Sequence, residues 1–472
     1  MARPIRVVSD AARRLAEIIQ RDVRERLGPD STFEQRRDAA SGLTSDALWL
    51  DADQDLRDEI TTAAEVEIDG CRYRRLKQRS SAIYFSRWGN HHIKEPLYRT
   101  VGVRNGPTIK QIELRAGIIK HMTPDMARIV GELTAHTGSR DVSIMLRITG
   151  LTPPSRAFSA KRTTQMAAEI AKEIPQLEQA ARDVTAVPTK VGSVSCGLDR
   201  MAVRMTELED PEHPVPCTRT APYERTPPPE KEHHYRMAWV GSTTAYDLQG
   251  NEIHTWRCAT HASADPATVA LRVAKDVAWI TNVHPDVPVH CVQDGAPELR
   301  ALPEALARTL PPTTISVELV DFEHLMGYLE DVVDACAPAG DPDDWKGWYR
   351  NALLRDDAAI NHIWRRLRRL AATLPGRGTA ARKTVAAALS YIRLRKSKMR
   401  YATHYAANLP IGSGATESSC FQMQQRVKLP GQSWESGLDG ILAMRSLALS
   451  DRWMPAWESY AAGRRKEVRL VA

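Results

Sequence analysis

Three acidic residues stand where a carboxylate needs a reason. Asp199 lies in the middle of VGSVSCGLDRMAVRM, an alternating run that predicts a strand, and a buried charge there is costly unless it is paired or binds a cation. Asp294 closes the apolar run VPVHCVQD and precedes Gly295, at the strand end where open α/β sheets place their sites. Glu417 follows the loop NLPIGSG, where Gly412 and Gly414 bracket Ser413, and falls in the first turn of a helix predicted by the Gly- and Pro-free stretch Thr416 to Val427. Taken singly, each has a structural explanation; a first-turn Glu, for example, complements the helix macrodipole. Gathered at one sheet edge, three carboxylates repel unless hard divalent cations bind, and an all-oxygen donor set selects Mg²⁺ or Mn²⁺. Two such ions about 3.5–4 Å apart activate a water or a 3′-hydroxyl and stabilise the leaving 3′-oxygen, the chemistry of phosphodiester cleavage and transfer.

The elements that would bring these acids together are readable from Lys190 onward. The strand around Asp199 leads into a Pro-rich excursion (Pro211 to Pro229), then two alternating runs flank DLQGN, a hairpin signal. An amphipathic helix follows with Asp265 or Ser263 as its cap, then the buried strand ending at Asp294, the helix PELRALPEALARTL, and the strand TTISVELVDFEHL running into a further helix. The order β, β, β, α, β, α, β is that of a ribonuclease H-like core, in which the first and fourth strands are neighbours. That adjacency would converge Asp199 and Asp294, and the late helix would add Glu417.

Between Ala358 and Thr416 there are twelve Lys or Arg residues and no Asp or Glu, more charge than the net +7 of the whole chain. A solvated helix usually mixes signs, so the clusters Arg365, Arg366, Arg368, Arg369 and Arg393, Arg395, Lys396, Lys398, Arg400, with Trp345, Trp348 and Trp364 nearby, predict a nucleic-acid-facing helical insertion. Further upstream, helical periodicity in residues 1–65 predicts an arm, and short alternating segments in 66–118 predict a small β-rich module. Residues 119–188 read as helical. Their break at Gly150 to Pro154 suggests a helix-turn-helix that would set Arg156, Lys161 and Arg162 near DNA, although two helices joined by a Gly/Pro turn also occur in many non-binding domains.

The fold class expected is therefore an α/β ribonuclease H-like catalytic core with an all-helical insertion, preceded by a small β-rich module and a helical, helix-turn-helix-like DNA-binding region. Its core would comprise 189–321 and 408–472, the last carrying the third acid, and its insertion 322–407. A length of 472 residues and 42% hydrophobic content can supply several cores, and a pI near 9.0 suits a polyanionic partner. Seven cysteines without CxxC or Cys/His ligand spacing indicate neither a zinc module nor a disulfide framework and fit a reducing cytoplasm. No leader peptide is visible, and no apolar run reaches the length of a membrane span.

GLDRMAVRM, CVQDGAPELR, LVDFEHLMGYLEDVV, LPIGSGATESSCFQMQQRVKLPGQSW and AMRSLALSDRW occur in that order, preceded by YRRL, SRWG, PLYR, GVRNGPT and ELRAGI. From about Asp69 the chain thus resembles the DDE-type insertion-sequence transposases of the ISKra group. The resemblance implies a DNA transposase that cleaves its element's ends and transfers the strand with Mg²⁺ or Mn²⁺. Its triad falls on Asp199, Asp294 and Glu417, and its DxxH element on Asp321 and His324 as accessory residues. The partners implied are double-stranded DNA, as terminal inverted repeats and target, and further copies of the chain as a homodimer or higher oligomer, in a bacterial cytoplasm near the nucleoid. Three other expectations stay open: a domesticated, non-cleaving DNA-binding protein derived from such an enzyme, a ribonuclease H-like nuclease without strand transfer, and a plain transcription regulator with no metal dependence.

Overall fold

The computed structural model describes residues 9–208, 231–261, 264–314, 316–336, 341–374, 376 and 378–471; the Pro-rich excursion and the alternative cap Ser263 lie outside them. The chain divides into two compact units, residues 1–166 together with 458–472, and residues 167–457. Among the described residues no helix is long and apolar enough to cross a membrane.

In the first unit, α1 (Asp10–Leu27) packs with α2 (Phe33–Asp58), whose start is fixed by a capping box between Thr32 and Gln35. The expected β-rich module is a five-stranded sheet. Its strands β1 (Glu65–Ile68), β2 (Cys71–Ser86), β3 (Gly89–Thr100) and β4 (Thr108–Ile109) are joined at the β1 edge by Val468–Val471. Those last residues, assigned from the sequence to the final helices of the core, thus pair antiparallel with β1. The helices α3 (Gln111–Arg115), α4 (Pro124–His136) and α5 (Ser139–Ile148) follow, and α6 (Arg156–Val184) contributes residues to both units. Residues 149–155 separate α5 from α6, a longer connection than the three- to four-residue turn of a helix-turn-helix, and α6 runs for 29 residues.

The second unit is built on the sheet that carries the candidate acids. Its elements are β5 (Ser193–Leu208), β6 (Lys231–Tyr246), β7 (Glu252–Thr260), α7 (Pro266–Val283), β8 (Val289–Gln293), α8 (Ala301–Thr309) and β9 (Ser316–Val320). The strand order is β7-β6-β5-β8-β9, with β5, β6 and β7 antiparallel and β8 parallel to both β5 and β9. Local chemistry explains the connections. Asp247 accepts from the backbone of Gln249 and Asn251 to close the β6–β7 hairpin, and Asp265 caps α7 by accepting from Ala267 N at 2.9 Å. Every residue of β8 is buried, as expected of a near-continuous apolar strand covered on both faces.

Beyond β9 come α9 (Phe322–Cys336), α10 (Pro342–Arg355), α11 (Ala359–Thr373), α12 (Ala380–Arg395) and α13 (Tyr401–Ala406), then α14 (Gly414–Val427), α15 (Leu438–Leu449) and α16 (Trp453–Ala462). Helices α9 to α13 share their own apolar core, built from residues such as Phe322, Leu329, Leu353, Ile363, Leu367, Val385, Ile392 and Tyr401. This is the helical segment expected at 322–407. The sheet is covered differently on its two faces. A Cβ added at Gly241 would meet Val269 and Val273 of α7, whereas the residue next to it, Ser242, hydrogen-bonds Thr416 of α14 at 2.7 Å. Behind α7 lies a buried charge network: Arg182 and Arg452 both donate to Asp276, at 2.8 and 3.0 Å, and Arg272 pairs with Glu178 at 2.6 Å. The chain is a mixed α/β protein with two small sheets and 55% helix.

Candidate active site

The parallel register sets the acids level with one another. Cys196 of β5 lies opposite Cys291 of β8, and Gln293 of β8 lies opposite Val320 of β9. Continuing those ladders puts Asp199 beside Asp294, and Asp294 beside Asp321, across three adjacent strands. Asp199 is half-buried within β5, while Asp294 and Asp321 follow the last residues of β8 and β9.

Gly197 lets the third acid's helix approach. A Cβ there would sit 2.4 Å from Thr416 Oγ1 and 2.8 Å from the Val292 carbonyl oxygen, so only glycine leaves room for α14 against β5. Asp199, two residues on, points to the same face. The Cys420 thiol, one turn after Glu417, donates to Asp199 Oδ2 at 3.4 Å, and Arg200 N donates to Oδ1 at 2.6 Å. Burial pushes the Cys420 thiol well above its ordinary pKa, and the carboxylates of Asp199 and Glu417 push the same way. Asp199 and Glu417 therefore flank one thiol. Glu417 itself is exposed and accepts from Ser413 Oγ at 3.2 Å.

Asp294 begins a tight turn. Its Oδ1 accepts from Ala296 N at 2.7 Å, and Gly295 takes a left-handed φ of 78°. Two side chains of α12 hold this turn: Tyr391 Oη donates to the Asp294 carbonyl at 2.8 Å, and Arg395 Nε to the Gly295 carbonyl at 2.9 Å. Asp321 is 1% exposed and fully engaged, accepting at Oδ1 from His324 N at 2.7 Å and at Oδ2 from Ser413 N. It caps α9 and ties the end of β9 to the loop that carries Glu417. His324 is exposed, its ring 5.6 Å from those of both Tyr328 and Tyr391.

None of Asp199, Asp294 and Glu417 is ion-paired among the described residues, and Asp294 Oδ2 and Glu417 Oε2 have no hydrogen-bond partner there. The set is hard oxygen throughout, which suits Mg²⁺ or Mn²⁺. Among the described residues, no three His, Cys, Asp or Glu side chains stand close enough together to hold an ion as they are. The donor chemistry and shared level fit such a cation, and the side chains would have to turn inward to close on it.

The basic residues separate into outward- and inward-facing groups. Arg365, Arg366, Arg368 and Arg369 are exposed on α11, opposite the buried Ile360, Ile363 and Leu367. Arg366 lies 3.8 Å over the Trp345 ring, and Arg368 and Lys396 lie 4.9 and 5.6 Å over Trp364. Arg393 and Arg400 are exposed as well. Two of the expected phosphate contacts are otherwise engaged: Arg395 holds the Gly295 turn, and Lys398 is ion-paired with Glu318. In the first unit, Arg156 and Lys161 are exposed, with Arg156 Nε donating to Ser139 Oγ at 3.3 Å, and Arg162 lies 5.2 Å over Phe158.

Sequence reasoning did not single out Gly197, Cys420 or Tyr391, nor give Ser413 a role. Cys420 and Glu417 sit three apart on one helix face, and Tyr391 and Arg395 sit four apart on another, so helical spacing was the available signal. Nothing in the order of residues announces that Gly197 faces Thr416. In comparisons with known proteins, no protein-family model matches the chain, and no curated protein does either.

Proposed function

We propose that this protein is a DNA transposase that cleaves the ends of its element and joins the freed 3′-hydroxyl to target DNA. The observation that carries this reading is the common level of Asp199 and Asp294 on neighbouring parallel strands, with the helix of Glu417 seated on the same face through Gly197. The strand order β7-β6-β5-β8-β9, with β6 antiparallel to β5, supports a ribonuclease H-like core. Asp199, Asp294 and Glu417 would hold two divalent cations, which supply a lowered pKa for the attacking hydroxyl and charge stabilisation at the leaving oxygen.

The chain's own residues do the remaining work. Ser413 orients Glu417 by donating to it, and Asp321 fixes Ser413 in turn. His324, exposed with its ring 5.6 Å from that of Tyr391, would orient a phosphate. The outward cations of α11 and α12, with Arg156 and Lys161, would neutralise backbone phosphates and make binding strongly salt-dependent. Assembly into at least a dimer on DNA belongs to the same proposal.

The test is cleavage and strand transfer on labelled duplexes carrying the DNA that flanks the reading frame, with Mg²⁺, Mn²⁺ or EDTA, comparing wild type with Glu417→Gln. Metal-dependent products that vanish in the variant, while DNA binding persists, are the expected result. Wild type that binds these ends without cutting them would instead establish a non-cleaving DNA-binding protein. Cutting without joined products would instead indicate a nuclease.

A further inference from the structure

Helix α12, in the segment between β9 and α14, reaches the candidate site through two side chains one turn apart. Tyr391 Oη and Arg395 Nε donate to consecutive carbonyls, those of Asp294 and Gly295. The two contacts are themselves fixed. The Tyr391 ring stacks on Tyr328 of α9 at 4.3 Å and 22°, and the Arg395 guanidinium lies 4.4 Å over the Tyr391 ring. Space is tight as well: a Cβ on Gly295 would come within 2.4 Å of Arg395 Nε and 2.7 Å of its Cδ. The turn is thus pinned by Ala296 N on the Asp294 carboxylate, at 2.7 Å, and by α12 on the backbone.

We infer that Tyr391 and Arg395 are positioning residues for Asp294, through which the helical segment sets the direction of the second carboxylate. This rests on the metal-site reading above and adds that α12 belongs to the site rather than only to a DNA-facing surface. Neither residue would touch metal or DNA. Without the two donors, the carbonyls of residues 294 and 295 are free to rotate, and with them the one unengaged oxygen of Asp294. Arg395, by this account, is removed from the phosphate-binding set into which its charge had placed it. The chain has a physical reason to spend an arginine here: a guanidinium can bond a carbonyl and stack on an aromatic face at once, which an ammonium does less well.

The experiment is Mn²⁺ binding to the full chain without DNA, followed by the loss of the free-ion electron paramagnetic resonance signal. It compares wild type with Asp294→Asn, Tyr391→Phe, Arg395→Met and Arg395→Lys. Groups that orient a metal ligand typically contribute 10–100-fold to affinity, so about 10-fold weaker binding is expected for Tyr391→Phe and for Arg395→Met, with partial recovery in Arg395→Lys. Metal-free melting temperature is recorded alongside, and Tyr391→Phe, which keeps its ring, should melt close to wild type. Two results overturn the inference while leaving the metal site standing. One is wild-type Mn²⁺ affinity in both Tyr391→Phe and Arg395→Met. The other is unchanged Mn²⁺ affinity in Arg395→Met together with a reduced salt slope of duplex binding, which would make Arg395 a phosphate contact. If wild type shows no saturable binding that Asp294→Asn removes, the metal-site reading fails and this inference with it.

Discussion

Gly197→Ala tests the packing that brings two of the candidate acids together. The added methyl would meet Thr416 Oγ1 at 2.4 Å and the Val292 carbonyl oxygen at 2.8 Å, where ordinary contact begins near 3.4 Å. Relief therefore needs about 1.0 Å of movement from Thr416 and about 0.6 Å from Val292, by difference of those distances. Rotating Thr416 does not suffice, because its Cβ is already 3.3 Å away and its hydroxyl is bonded to Ser242, while Val292 offers backbone of the neighbouring, wholly buried strand β8. Overpacking of this kind costs about 1–3 kcal/mol. The lower unfolded-state entropy of alanine returns less than about 1 kcal/mol, so destabilisation wins. Calorimetry should show a melting temperature lowered by about 2–8 °C, taking about 1–2 kcal/mol net at the usual conversion for a unit of this size. The yielding element is α14, so Glu417 moves with it, and under the proposed function a shift of about 1 Å at the reacting centre would cost on the order of 100-fold in rate. Adding Thr416→Ala to the same chain removes the hardest contact and should recover part of both losses. A Gly197→Ala protein that melts and cleaves like wild type would refute the claim that this glycine seats α14.

Two further perturbations address parts of the fold away from the acids. Asp276→Asn leaves Arg182 and Arg452, each 2–3% exposed, without their shared counter-charge, and should cost about 3–5 kcal/mol in denaturant melts, a loss much larger than a surface pair would give. In the first unit, burial raises the Glu95 carboxyl to about 7, against an ordinary value of 4.5, with the Tyr84 hydroxyl bond at 2.6 Å opposing the shift. The folded form then holds its proton more tightly than the unfolded chain. Its stabilising contribution is full below about pH 4.5 and is lost as pH rises to about 7, about 3 kcal/mol in all. Melting of Glu95→Gln across that window should lack this decline; a decline of equal size would assign it to another group.

Much of the second unit was legible because its punctuation is local. The DLQGN hairpin closes on Asp247, Asp265 caps α7, and the apolar run before Asp294 is a wholly buried strand. Those same signals order the elements that put Asp199 and Asp294 at one level. What the sequence hid is long-range. Lys398 and Arg395 count as free cations in any charge tally, yet one meets Glu318 and the other a carbonyl about a hundred residues away. The expected sharp turn at Gly150 gave way to a longer connection because α6 starts only at Arg156, after Pro153 and Pro154. Asp321 stands level with Asp294, and both its oxygens are taken up by backbone amides, which its place at the end of a strand could not reveal.

The pairing of Glu65–Ile68 with Val468–Val471 carries a consequence for how the protein is made. About 400 residues separate the two strands, and at roughly 5–20 residues per second a ribosome needs about 20–80 s to cross them. Throughout that interval β1 presents an unpaired edge, the kind of template on which nascent chains pair with one another. Its outward Glu65 and Glu67, followed by the arginines of β2, give that waiting edge charge on both sides of the turn, which discourages such pairing. A chain released before residue 468 would keep the edge open for good.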